Sequence, residues 1–194
     1  MLRAVLLSWE WRPEILLTLV TLGVLYGLGW WHLRQAGFGR LASGWRLAAY
    51  LSALLAIVVA LMSAIDLLQS FLFAMHMVQH LLLIMFAAPL LMLANPLPFV
   101  AWGLPAAGRR ALSRLLAEGM PFRCLLRYLT APWLAWGLFA LTFWGWHVPV
   151  AYVAALQNGL IHDLEHLTFF WTALLFWWHV TGAAPRIHHR LGYG

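Results

Sequence analysis

Two five-residue strings carry most of the polar chemistry of an otherwise apolar sequence. His76-Met77-Val78-Gln79-His80 opens an apolar stretch that runs to Pro96, and His162-Asp163-Leu164-Glu165-His166 opens the last long apolar stretch of the chain. At 100° per residue, His76, Gln79 and His80 share one helical face on successive turns, and so do His162, Glu165 and His166. Both imidazoles of a pair can then turn towards one neighbour or one ion. Imidazole together with carboxylate is a donor set for zinc, copper, iron or nickel. Inside a membrane such groups are costly, which makes them functional candidates.

The elements that must position these residues are membrane helices. Of the 194 residues, 64% are hydrophobic and only 9% charged, a composition of integral membrane proteins rather than soluble domains. Five runs approach the ~20 apolar residues needed to cross a bilayer core, at about 13–33, 46–69, 75–95, 132–150 and 161–182. The expected fold is all-α: a polytopic bundle of about five membrane helices forming a single integral-membrane domain over residues 1–194. Gly23, Gly27 and Gly29 predict a thin, closely packed side on the first helix. Between the third and fourth runs, residues 105–118 alternate Arg109, Arg110 and Arg114 with Leu112, Leu115 and Leu116, predicting one amphipathic helix on the membrane surface.

The net charge is +6 and every one of the twelve basic residues is arginine. They cluster in the connections between apolar runs, which points to anionic lipid headgroups rather than nucleic acid. Ten of the twelve fall in the first loop, the long third connection and the C-terminal tail, leaving only Arg3 and Arg12 on the other side. The excess marks the cytoplasmic side, so the N-terminus is expected outside and the C-terminus inside. A lone cysteine, Cys124, excludes an internal disulfide and any multi-cysteine metal framework.

This topology places Asp66 at the end of the second helix and His76 and His80 at the start of the third. His147 ends the fourth, and His162, Glu165 and His166 begin the fifth. All seven fall in the outer half of the bilayer, where a bundle can assemble a carboxylate-histidine site. The core ligands are expected to be His76, His80, His162 and His166, with Asp66, Glu165 and His147 as further candidates. Met62, four residues before Asp66, offers a thioether on the same face; Met85 and Met92 point away from the His76 face. His32 and His179 are expected at the other interface, and His188 and His189 in the tail; Trp144 is expected to pack.

Three other chemistries fit some of these residues. Histidines on facing helices could ligate a b-type haem. His162-x-x-Glu165-His166 matches the inverted zinc-protease motif, with Glu165 as base. The histidines could also bridge helices in a purely structural subunit.

Several strings together resemble one family. His76-Met77-Val78-Gln79-His80-Leu81-Leu82 with Pro89-Leu90-Leu91, then Trp146-His147-Val148-Pro149-x-x-Tyr152-x-x-Ala155-Leu156, then His162-x-x-Glu165-His166 are similar to the motifs of the multi-pass CtaG family, assembly factors for caa3-type cytochrome c oxidase. Trp11-Arg12-Pro13 and Ser63-Ala64-Ile65-Asp66 also fit. The resemblance implies a bacterial inner-membrane protein without catalytic activity of its own. It implies oxidase subunits as partners and copper insertion as the step served. Carried over by position, the family's histidine motifs fall on His76, His80, His147, His162 and His166, and its aspartate on Asp66. The chain departs from the family at Ala64-Ile65, where a proline often precedes the aspartate, and at Val153, where an acidic residue often follows the motif tyrosine. Family members usually carry further membrane helices, so the chain is expected to lack the C-terminal ones.

Overall fold

The computed structural model describes residues 9–69 and 71–181. Arg3, Ser70, Arg186, His188, His189 and Arg190 therefore lie outside the described residues. Every element among the described residues is helical. The order is α1 (Pro13–Gln35), α2 (Gly44–Met62), α3 (Ala64–Leu68), α4 (Phe73–Leu81), a π-helical segment (Leu82–Ala87), α5 (Ala88–Ala94), α6 (Pro96–Gly103), α7 (Ala106–Leu115), α8 (Pro121–Leu129), α9 (Pro132–Trp146), α10 (Pro149–Gln157) and α11 (Gly159–Thr181).

Proline sets many of these boundaries. Pro13, Pro96, Pro121, Pro132 and Pro149 each stand in the first turn of a helix, where the missing N–H leaves no bond unmade. Three stretches are long and apolar enough to cross a membrane: Pro13–Gln35, Gly44–Leu68 and Phe73–Ala94. The pair α8 and α9, bent by 64°, makes a fourth if it counts as one span. Among the described residues the count is thus three to four, against the five expected. The expected run 132–150 stops at Trp146, because Pro149 forces Val148 into extended backbone. Helix α11 has the length of a span at 23 residues, but His162, Asp163, Glu165, His166 and His179 dilute its apolar character.

Phe73–Ala94 is the central span: half of its most apolar window is buried, against 17% and 28% for the first two spans. Helix α2 packs along its π-helical segment and α5, and α11 packs along the same stretch from another side. Its π-helical turn has a specific cause and consequence. The Ala88 N–H reaches back to the Leu83 carbonyl, so the next donor in that register belongs to Pro89, which has none. The Ile84 carbonyl is left over and accepts a hydrogen bond from the Trp177 indole of α11 at 2.8 Å. A proline in the central helix thereby fixes where α11 docks.

At the far end from the histidine pairs, α1 crosses α6 at backbone distance. A Cβ on Gly29 would stand 1.7 Å from the Phe99 carbonyl oxygen, and one on Gly103 would stand 1.9 Å from that of Leu25. Of the three glycines expected to thin α1, only Gly29 makes so close an approach; Gly27 meets nothing within 4 Å. Tyr26 seals this crossing, stacked on Tyr50 with centroids 3.8 Å apart and donating to the Ala94 carbonyl at 3.1 Å. The amphipathic surface helix expected at 105–118 is α7, and α8 adds a second, with Arg123 and Arg127.

The second span is not one straight helix. Ser63 is extended, its hydroxyl donating to the Val59 carbonyl and accepting from the Ile65 N–H, a local alternative to the helical ladder. Met62 and Asp66 consequently belong to different helices and do not share the continuous face expected of them. The chain ahead of α1 is pinned to this break by the Glu10 N–H, which donates to the Met62 carbonyl at 3.1 Å.

Candidate metal centre

The start of α4 and the start of α11 meet in the interior with their polar faces towards each other. His76 and Gln79 are fully enclosed, and His80, His162, Glu165 and His166 are all buried. His76 Nε2 lies 2.8 Å from His80 Nε2, and Glu165 Oε1 lies 3.6 and 3.4 Å from these two atoms. A circle through three points so spaced has a radius of about 1.9 Å, close to the ~2.0–2.1 Å over which imidazole nitrogen or carboxylate oxygen binds a zinc-like divalent ion. The three donor atoms are close enough together to be reached by one ion.

The second pair adjoins this set. Ring centroids are 4.2 Å apart for His162 and His166, 5.4 Å for His76 and His162, and 5.1 Å for His80 and His166. Nε2 of both His162 and His166 is buried with no hydrogen-bond partner among the described residues, as are Glu165 Oε2 and His80 Nδ1. Buried polar atoms without partners are rare, and these four belong to the two histidine pairs and the glutamate between them.

Surrounding groups hold the ligand faces in place. His76 Nδ1–H donates to Gln69 Oε1 at 3.3 Å, which leaves Nε2 of that ring as the free lone pair. With His76 in this tautomer, the 2.8 Å contact requires the proton to sit on His80 Nε2, so an ion taken between the two rings must displace it. The Tyr152 ring packs edge-on to His76, and Phe169 packs against His80. Gln79, on the face between the two histidines, donates to the Ala60 carbonyl at 2.9 Å and to Asp66 Oδ1 at 2.7 Å.

The seven sequence candidates thus separate. His76, His80 and Glu165 form the convergent set, and His162 and His166 line it. Asp66 lies outside: the break at Ser63 puts it on α3, where its carboxylate meets Gln79. His147 also lies outside, because α9 ends there; it is exposed and folds back to donate from Nδ1 to the Phe143 carbonyl at 2.6 Å. Glu165, ranked behind the four histidines by sequence, faces the histidine pair of the other helix and not its own. In the inverted protease motif, by contrast, His162 and His166 would be the ligands and Glu165 the base beside them. Gln69 and the pairing of Arg12 with Asp163 escaped the sequence reading, which met Tyr152 only as a motif residue with no contact to His76 assigned. Arg12 and Asp163 are 151 positions apart, and only the neighbouring Trp11-Arg12-Pro13 string hinted at a role.

The family of cytochrome c oxidase caa3 assembly factors, Caa3_CtaG, matches residues 24–194, which is most of the chain and includes both histidine strings. The chain belongs to this family. A curated relative, an uncharacterized protein of Mycobacterium leprae (strain TN), is 26% identical over 187 residues. That match covers 91% of this chain but 27% of the relative, so the chain spans about a quarter of that protein's length. No solved structure matches. Both histidine strings and the spans Gly44–Leu68 and Phe73–Ala94 lie within the matched residues.

Proposed function

We propose that this Caa3_CtaG chain binds one copper ion as cargo at His76, His80 and Glu165 and hands it to a cytochrome c oxidase subunit during assembly. The observation that carries the reading is the convergence of three buried donor atoms on one point, with unpartnered imidazole nitrogens beside it. His162 and His166 are placed to complete the coordination or to exchange with the first pair as the ion moves. The choice of copper over zinc, which the same donors suit, rests on the family. The protein works as a carrier in a bacterial plasma membrane, with no reaction of its own to catalyse. The arginine-bearing end faces the cytoplasm and the histidine layer faces outward.

A b-type haem fits this geometry less well than a single ion. Axial histidines from facing helices must stand on opposite sides of a flat macrocycle, whereas the facing rings His76–His162 and His80–His166 are 5.4 and 5.1 Å apart and Glu165, Tyr152 and Phe169 pack around the first pair.

The test is metal analysis of the full chain purified from a copper-replete host, with an absorption spectrum for haem. About one copper per chain is expected, falling to background in His76→Ala/His80→Ala while the protein still inserts into the membrane. Copper retained by the double variant, or a haem spectrum without copper, overturns the reading.

A further inference from the structure

At the end of the molecule away from the histidines, α6 and α7 enclose a groove of about 320 Å³. Leu104 is held extended ahead of Pro105, so the two helices cannot continue one another and diverge instead. Leu97 and Trp102 stand on one wall, Leu112 and Leu116 on the other, and Arg109 and Ser113 are the polar members of the lining. No residue of α7 is buried, so its leucines are not covered by the rest of the described chain. An amphipathic helix in that position needs an apolar partner from outside.

The rim of the groove carries unbalanced positive charge. At 100° per residue Arg109, Leu112, Ser113 and Leu116 share the groove face, and Arg110 and Arg114 stand on the flank beside it. Arg110 and Arg114 are exposed and form no ion pair among the described residues. The one carboxylate between Pro96 and Thr130, Glu118, is taken by Arg123 at 3.4 Å. Arg109 lies over the Trp102 ring, 4.8 Å from its centroid, a stacking that leaves the in-plane N–H groups of the guanidinium available as donors. Arg34 over Trp30 and Arg46 over Trp45 repeat the pairing, which marks this end as the interfacial belt where headgroups meet acyl chains.

We propose that the groove between α6 and α7 is a discrete binding site for one anionic phospholipid, with an acyl chain between the two apolar walls and the phosphate on Arg109, Arg110 and Arg114. The arginine count by itself implies only a diffuse attraction to headgroups; the groove adds a place for a single chain. A site that is apolar along its length and cationic at its rim matches a molecule that is apolar along its length and anionic at one end. An acidic peptide fits less well, because its backbone N–H and C=O groups would enter the groove without partners. A zwitterionic lipid brings an ammonium that offsets its phosphate, so a headgroup of net negative charge is preferred. This site is independent of the copper reading.

Native mass spectrometry of the purified full chain tests the proposal, with equal amounts of dioleoyl phosphatidylglycerol and dioleoyl phosphatidylcholine added in detergent. One phosphatidylglycerol per chain should be retained in preference, and its binding should saturate. Arg110→Gln should weaken that binding roughly fivefold, the contribution of one arginine near an anionic lipid surface, and leave retention of phosphatidylcholine unchanged. Ser113→Phe fills the groove while keeping every arginine, and it should displace the lipid. Both substitutions are at exposed positions, so the fold should tolerate them. Glycerol phosphate, which has the headgroup chemistry without the chains, should not compete at equal concentration. Equal retention of the two lipids overturns the site, and so does phosphatidylglycerol binding that survives Ser113→Phe undiminished, since only diffuse attraction would then remain. Effective competition by glycerol phosphate overturns it as well, because the acyl chain would play no part. A dimer that Ser113→Phe dissolves would put a second copy of the chain in the groove instead.

Discussion

At the scale of single residues, the two glutamines beside the histidines have separable jobs. Gln79 is fully buried and ties the Ala60 carbonyl and the Asp66 carboxylate to α4. Gln69 sits at the end of α3 and touches the centre only through His76 Nδ1. Replacing Gln79 with leucine strands two acceptors, one of them charged, and should lower stability by about 2–4 kcal/mol. Replacing Gln69 with leucine should leave stability nearly unchanged and weaken the metal site, because the ring it orients loses its fixed tautomer; outer partners of metal-bound histidines contribute roughly 10–100-fold in affinity. Thermal unfolding in detergent and a chelator competition titration distinguish the two. If Gln69→Leu binds copper as tightly as the unaltered chain, the assigned His76 tautomer is wrong.

At the scale of elements, the molecule depends on a few backbone contacts, of which the glycine pattern of α1 announces one. Gly29 and Gly103 let α1 and α6 cross at a distance where any Cβ collides with a carbonyl. Gly29→Ala should therefore disrupt the crossing and lower the yield of folded protein, whereas Gly27→Ala, facing open space, should be neutral or mildly stabilising by up to ~1 kcal/mol. Trp177→Phe should cost about 1–3 kcal/mol by leaving the Ile84 carbonyl unbonded inside the bundle. Melting temperatures of the three variants check both statements. These contacts also show what the sequence could and could not reveal. The first three spans follow from the length of apolar runs, the amphipathic helix at 105–118 and the i,i+4 histidine faces from periodicity; these are local properties, and all are present in the fold. The break at Ser63 depends on one hydroxyl choosing backbone partners, and the π-helical turn on Pro89 being matched by an indole 88 residues later. Because Asp66 follows the first of these, its placement beside Gln79 was not legible. Glu165 was visible as a candidate, but its alliance with His76 and His80 is a matter of how α11 docks on the central span.

At the scale of the whole molecule, charge is sorted along the bundle axis. Arg34, Arg40, Arg46, Arg109, Arg110, Arg114, Arg123 and Arg127 lie at one end, with Arg34 over Trp30 and Arg109 over Trp102 as interfacial pairs. At the other end the one arginine among the described residues is Arg12, and it is neutralised by Asp163. The hydrogen bonds from Arg12 to Asp163 raise the guanidinium pKa above its ordinary value, so the pair stays ionised. An excess of arginine at one end predicts that this end lies in the cytoplasm and that the histidine centre faces outward. In that orientation the proposed copper carrier would receive its ion without moving a bare cation through hydrocarbon. Cys124, exposed on α8, reports the arginine-rich end. Leu160, 81% exposed at the start of α11, reports the other end once changed to cysteine in a Cys124→Ser background. A membrane-impermeant thiol reagent on intact cells should label Leu160→Cys and should reach Cys124 only after the membrane is opened. Labelling of Cys124 in sealed cells, with Leu160→Cys protected, would invert the bundle: the centre would then draw on the cytoplasmic pool, and delivery to an outward-facing oxidase site would require the ion to cross the protein along its axis.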